Sequence, residues 1–164
     1  EFEPFEKPHF EVVKTTSFAI NNSLDKMYWK VTDSGWRLGL SKDIPDLIFK
    51  NIETFTKEML GTKYGSVANI PKLNADWAIH PGGKAILVAV ENALDLNKEQ
   101  TKYSWRIMRD HGNMSSSTIL HVLEAMIKDE RNNSSMSEEC RPLVNCLVFG
   151  PGLTMEGAIL RRIM

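Results

Sequence analysis

Cysteine is scarce in this chain, charge is balanced and no hydrophobic run is long, and each shortage removes a class of protein. The two cysteines, Cys140 and Cys146, are separated by five intervening residues. That spacing matches neither the usual zinc pairs nor a C-x-x-C redox motif, and no metal site is expected. Two cysteines also fall short of a disulfide scaffold, so a reducing, cytoplasmic setting is expected. Lysine and arginine number 20 against 21 acidic residues, a net charge of −1. No broad basic field therefore exists for nucleic acid or an anionic membrane, and neither is an expected partner. No apolar run approaches the roughly 20 residues that span a bilayer. The start, Glu1-Phe2-Glu3-Pro4-Phe5-Glu6, has no initiator methionine and no basic-then-apolar signal, and reads as the interior of a longer protein. There is no internal repeat.

What is present suits one layered domain over 1–164, with 42% hydrophobic residues to build its core. Phe10 to Ile20 reads as a strand, as do Met27 to Val31 and Trp36 to Leu40 around the turn residues Asp33-Ser34-Gly35. Asp43 is set to cap a helix whose apolar stripe is Ile48, Ile52, Phe55 and Met59, with Gly61 as its stop. Asn74 to Ile79 reads as a buried strand ending at His80. Helices follow over Ala85 to Leu94, over Lys98 to about Arg109 behind an Asn97 cap, and after Asn113, where Ile119, Val122, Leu123 and Met126 share a face. Asp129 to Glu139 reads as a polar loop. Leu143 to Phe149 and Leu153 to about Ile163 are closing strands joined by Gly150-Pro151-Gly152. The alternation predicts an α/β domain. Cys146 reads as a small core residue and Cys140 as exposed.

Two segments carry the chemistry. In Trp77-Ala78-Ile79-His80-Pro81-Gly82-Gly83, an apolar strand delivers a histidine at a tight glycine-rich exit, where backbone can approach a ligand closely. In His111-Gly112-Asn113-Met114-Ser115, a glycine delivers an asparagine at a helix boundary. Two neutral donors placed this way suit an oxyanion hole. Plainer readings stand beside each: His80 as a satisfied core residue, Asn113 and the serines as helix caps, Gly150-Pro151-Gly152 as an ordinary turn. Ser117 and His121 are spaced i, i+4, yet no acidic orienter or strand–helix elbow accompanies them, which argues against a serine triad. A nucleophile is missing.

Taken together, WAIHPGGKAIL (77–87), GNMSSSTILHVLE (112–124), FGPGLTMEGAILR (149–161) and LSKDIPDLIFKNI (40–52) resemble the C-terminal half of a type III polyketide synthase of the chalcone synthase kind. The likeness runs from about Lys7 to the C-terminus. It implies an α/β fold that is half of a thiolase-like five-layer αβαβα arrangement, dimeric when complete. It also implies a Cys-His-Asn set in which His80 and Asn113 hold a thioester oxygen and an enolate while His80 supports a cysteine thiolate. The implied acyltransferase takes a starter from an acyl-CoA and extends it with malonyl-CoA, using these thioesters as substrates and no other cofactor. Ser115, Gly150 and Pro151 match cavity-lining positions, and Gly82, Gly83 and Ala85 match backbone near the coenzyme A entrance.

Three positions depart from the family pattern. Leu38 stands where a gatekeeping phenylalanine is usual, Trp29 where a cavity glycine is common, and Val148 where the loop's first glycine is expected. The family's nucleophilic cysteine lies upstream of these residues. The resemblance therefore implies an N-terminal half as partner and no activity for the half alone. A ketoacyl synthase of the initiating kind, or a non-catalytic partner subunit with the same half-fold, are the rival readings.

Overall fold

The computed structural model describes residues 8–61, 75–132 and 141–163. Strand β1 (Phe10–Ala19) is followed by a hairpin, β2 (Met27–Thr32) with β3 (Gly35–Leu40), and by helix α1 (Ile44–Leu60). Next come β4 (Ala75–Ile79), α2 (Lys84–Leu94), α3 (Lys98–Asp110) and α4 (Thr118–Asn132), then β5 (Leu143–Gly150) and β6 (Thr154–Arg162). Four strands form one sheet in the order β1-β6-β5-β4. β6 is antiparallel to both β1 and β5, whereas β4 is parallel to β5. Parallel neighbours need a crossover, and α2, α3 and α4 supply it.

The strand pleat sends alternate side chains to opposite faces of this sheet. Trp77, Ile79, Leu147 and Ile159 meet Ile48, Ile52, Phe55 and Met59 of α1 and Leu87 and Val90 of α2. Ala78, Val144, Cys146 and Leu160 meet Tyr103 and Ile107 of α3 and Val122 and Met126 of α4. Helices thus cover both faces, and β4 is buried throughout instead of alternating. Helix α1 lies at glycine distance from β6: a Cβ on Gly157 would come 2.6 Å from Met59 Sδ and 2.8 Å from Phe55 Cζ. The open edge of β4 is closed by α3, where the Ile79 N–H donates to the Ser104 hydroxyl at 2.9 Å.

Local signals explain most boundaries. Asn97 and Gln100 form a reciprocal capping box at the start of α3. The buried Glu91 of α2 ties the two helices together, accepting from Lys98, Thr101 and Trp105 at 2.5 Å each. Asp43 precedes α1 but makes no side-chain cap, because its carboxylate turns to Lys26 at 3.3 Å. The helix expected directly after Asn113 starts only at Thr118, behind a 3₁₀ turn over Ser115–Ser117. Ser115 has φ +60, and a residue in that left-handed region cannot be part of an α-helix. The polar loop expected from Asp129 begins later, since α4 continues to Asn132. Asn74, Cys140 and the remainder of that loop lie outside the described residues.

The hairpin is two-faced. Its register sets Met27 opposite Leu40, Trp29 opposite Leu38 and Val31 opposite Trp36, so these apolar side chains share one face. Trp29 meets Trp36 edge-to-face, with ring centroids 6.4 Å apart. Trp29, Val31, Trp36, Leu38 and Leu40 are all exposed, an unusual concentration of uncovered apolar surface. On the other face, the Tyr28 ring lies over Gly39, where a Cβ would sit 2.3 Å from the ring.

Candidate active site

The sheet delivers His80 from the C-terminal end of β4. Its N–H donates to the Leu147 carbonyl at 2.7 Å, extending the pairing with β5 by one residue. The chain then turns sharply, the Gly82 N–H returning to the His80 carbonyl at 2.9 Å. Gly82 lies against the imidazole. A Cβ there would be 3.6 Å from His80 Nε2 and 3.1 Å from Ile86 Cδ1, so the turn and the ring fit together closely. His80 is 9% exposed, and burial lowers its pKa, which keeps the ring neutral at neutral pH. Among the described residues no side chain hydrogen-bonds to the ring. Gly83 caps α2 with its backbone extended. The first turn of α2, including exposed Lys84 and Ala85, presents N–H groups that have no partner within the helix.

Asn113 arrives from the opposite side of the sheet. Helix α3 ends at Asp110 with His111 as its cap, and Gly112 at φ +71 turns the chain back. The Asn113 amide then spans the two segments. Its Nδ2 donates to the Gly82 carbonyl at 3.1 Å and its Oδ1 accepts from the Ser115 N–H at 2.8 Å. A carbonyl can only accept and a backbone N–H can only donate, so the amide has one orientation. One of its two N–H bonds remains available. The two segments singled out in the sequence are thus directly hydrogen-bonded to each other.

Gly150 ends β5, the strand that receives the His80 N–H, and Pro151 follows it. Gly152, at φ +122, donates to the Met27 carbonyl at 3.1 Å and ties this loop to the start of the hairpin that carries Trp29 and Leu38. Ser23 completes the tie. Its buried hydroxyl accepts from the Leu153 N–H at 2.6 Å and lies 3.0 Å from the Gly152 carbonyl. The sequence had no signal for Ser23, which reads there as one polar residue in a turn. The expected site residues Gly82, Gly83, Ala85, Ser115, Gly150 and Pro151 therefore belong to segments linked to His80 or Asn113 by hydrogen bonds or strand pairing, whereas the hairpin of Trp29 and Leu38 is tied to the loop at Gly152.

Other candidates are engaged elsewhere. The Ser117 hydroxyl donates to the Met114 carbonyl at 2.9 Å, and His121 Nδ1 lies 3.4 Å from Glu124. Cys146 is buried between the sheet and the α3/α4 layer, and burial pushes its thiol up to about 12. Such a group is not a thiolate nucleophile at neutral pH. Among the described residues no group of three histidines, cysteines or carboxylates is placed to hold a metal, and no helix is long and apolar enough to cross a membrane.

This mixed α/β fold is thiolase-like, and it carries its histidine and asparagine on adjoining turns. The chain belongs to the family of chalcone and stilbene synthases, as their C-terminal domain, matching that family's model over residues 11–164. It is 35% identical over 158 residues to type III polyketide synthase B of Arabidopsis thaliana, covering 96% of this chain and 40% of that protein. The crystal structure of the C-terminal type III polyketide synthase domain of Steely1, a type I/III hybrid from Dictyostelium, superposes with a TM-score of 0.81 at 31% identity, over 96% of this chain and 41% of that one. CsyB complexed with CoA-SH gives a TM-score of 0.85 at 28% identity, over 96% and 42%. The chain thus spans well under half the length of these relatives.

Proposed function

We propose that the chain is the oxyanion-stabilising half of a type III polyketide synthase that condenses malonyl-CoA with an acyl-CoA starter. The observation that carries this reading is the Asn113–Gly82 hydrogen bond, 3.1 Å long, which joins the asparagine turn to the histidine turn. Malonyl-CoA loses CO₂, and the electron pair of the broken C–C bond passes into the thioester as an enolate. The imidazole N–H of His80 and the remaining Asn113 N–H stabilise the enolate oxygen. The enolate carbon then attacks an acyl thioester on a cysteine of the N-terminal half, and the thiolate leaves. Burial favours neutral His80, whereas a thiolate beside it would favour the imidazolium, so arrival of the second half tunes the histidine.

The apolar hairpin face supports the same assignment. Trp29 and Leu38 form part of the acyl cavity wall there, with Ser115, Gly150 and Pro151 contributing the rest from this half. Gly82, Gly83 and Ala85 flank the coenzyme A entrance, where free N–H groups at the start of α2 suit an oxygen of the thioester or pantetheine arm. The complete protein works as a cytoplasmic homodimer with coenzyme A thioesters as its only small-molecule requirement. The isolated half, with its uncovered hairpin and no reactive thiol among its described residues, is inactive.

Free malonyl-CoA distinguishes this reading from a ketoacyl synthase of the initiating kind. The complete enzyme is expected to release CO₂ from malonyl-CoA alone, measured as acetyl-CoA by liquid chromatography. Turnover only of malonyl groups loaded on an acyl carrier protein would overturn the assignment.

A further inference from the structure

We infer that Thr118 is a positioning residue for Asn113, an inference that rests on the oxyanion role proposed above. Thr118 opens α4 and is fully buried. Its hydroxyl accepts from the Met114 N–H at 2.8 Å and donates to the Ser115 carbonyl at 2.8 Å. These are the two residues that follow Asn113. Ser115 holds φ +60, a conformation uncommon outside glycine, which persists only where its surroundings over-determine it. That conformation lets the Ser115 N–H reach Asn113 Oδ1 at 2.8 Å, and the opposite side of the same amide donates to Gly82.

A continuous chain of contacts therefore runs from the Thr118 hydroxyl through the Ser115 backbone to the Asn113 amide and on to the histidine turn. Removing the hydroxyl leaves the part-buried Met114 N–H without its partner and the Ser115 carbonyl with the Thr118 backbone N–H alone, and the left-handed turn at Ser115 loses its lock. The Asn113 amide is then free to rotate away from the developing oxyanion. A plain helix-start role for Thr118 makes a different prediction, since lost capping lowers stability without changing the rate of folded molecules.

The test uses the complete enzyme and malonyl-CoA decarboxylation. Thr118→Val, nearly equal in volume, is expected to lower kcat on the order of tenfold or more while KM stays within about twofold. Thr118→Ser keeps the hydroxyl and is expected to restore kcat to within about threefold of the parent. In an Asn113→Ala background, Thr118→Val is expected to cost less than about twofold further, because its effect acts through the missing amide. Should the valine chain fail to fold, Thr118→Cys, with its weak S–H donor, carries the same three comparisons. An unchanged kcat, or an equal loss with and without Asn113, would overturn the positioning role. An Asn113→Ala enzyme of unchanged rate would instead sink the oxyanion assignment, and this inference with it.

Discussion

His80→Ala in the complete enzyme is expected to slow malonyl-CoA decarboxylation on the order of 10²–10³-fold, the usual cost of one oxyanion donor. The expectation rests on how completely the fold commits this side chain. β4 is buried on both faces, the backbone pairing with Leu147 reaches His80 itself, and Gly82 is folded against the imidazole. No described side chain hydrogen-bonds to the ring, so none is already in place to take over its N–H. The loss should appear in kcat far more than in KM, because enolate charge exists only after decarboxylation begins. His80→Gln, which returns an N–H donor but no titratable ring, should recover part of the decarboxylation and none of the thiolate support. Steady-state rates on malonyl-CoA alone read this directly, and a rate within a few-fold of the parent would reject the assignment.

The largest expected effect on stability lies away from the site, at Asp76. This residue sits in β4 with its carboxylate buried, accepting from Arg141 Nη1 at 2.5 Å and from Arg162 Nη2 at 2.9 Å. Arg162 also donates to the Arg141 carbonyl, so strand β6 and the approach to β5 are fastened to β4 through one acidic group. Asp76→Ala removes the buried carboxylate that the Arg141 and Arg162 guanidiniums share, which is expected to cost about 3–5 kcal/mol. Asp76→Leu combined with Arg162→Met removes both buried charges, and is expected to be less harmful than Asp76→Ala alone. Urea denaturation of the complete protein separates the two outcomes. Equal losses in both variants would show that lost packing, not an uncompensated charge, sets the cost.

Much of this architecture was legible because local signals agreed with the global fold. The stripe of Ile48, Ile52, Phe55 and Met59 is fully buried as its spacing implies. Asn97 caps α3 through the predicted pattern, and His80 and Asn113 sit on adjoining turns. The parts that could not be read depend on backbone atoms or on long-range partners. The Gly82 carbonyl that receives Asn113 leaves no trace in residue type. The left-handed Ser115 delays α4 by several residues although its neighbours have ordinary helix-start chemistry. Asp43 looked like a cap because Lys26 is distant in sequence and near in space. Thr118 was one hydroxyl in a run of four until burial and two hydrogen bonds set it apart. The hairpin's strands and turn were legible, but the exposure of its apolar face only has meaning once a covering half is considered.

The central claim is that this chain supplies the donors for a reaction whose nucleophile lies elsewhere in the complete enzyme. Mapping the acyl-enzyme adduct tests it most directly. The complete protein is incubated with an acyl-CoA starter, quenched in acid, digested and examined by peptide mass spectrometry. The acyl mass is expected on a cysteine outside these 164 residues, with Cys140 and Cys146 unmodified. An adduct on either of those cysteines, or on Ser115, Ser116 or Ser117, would contradict the account.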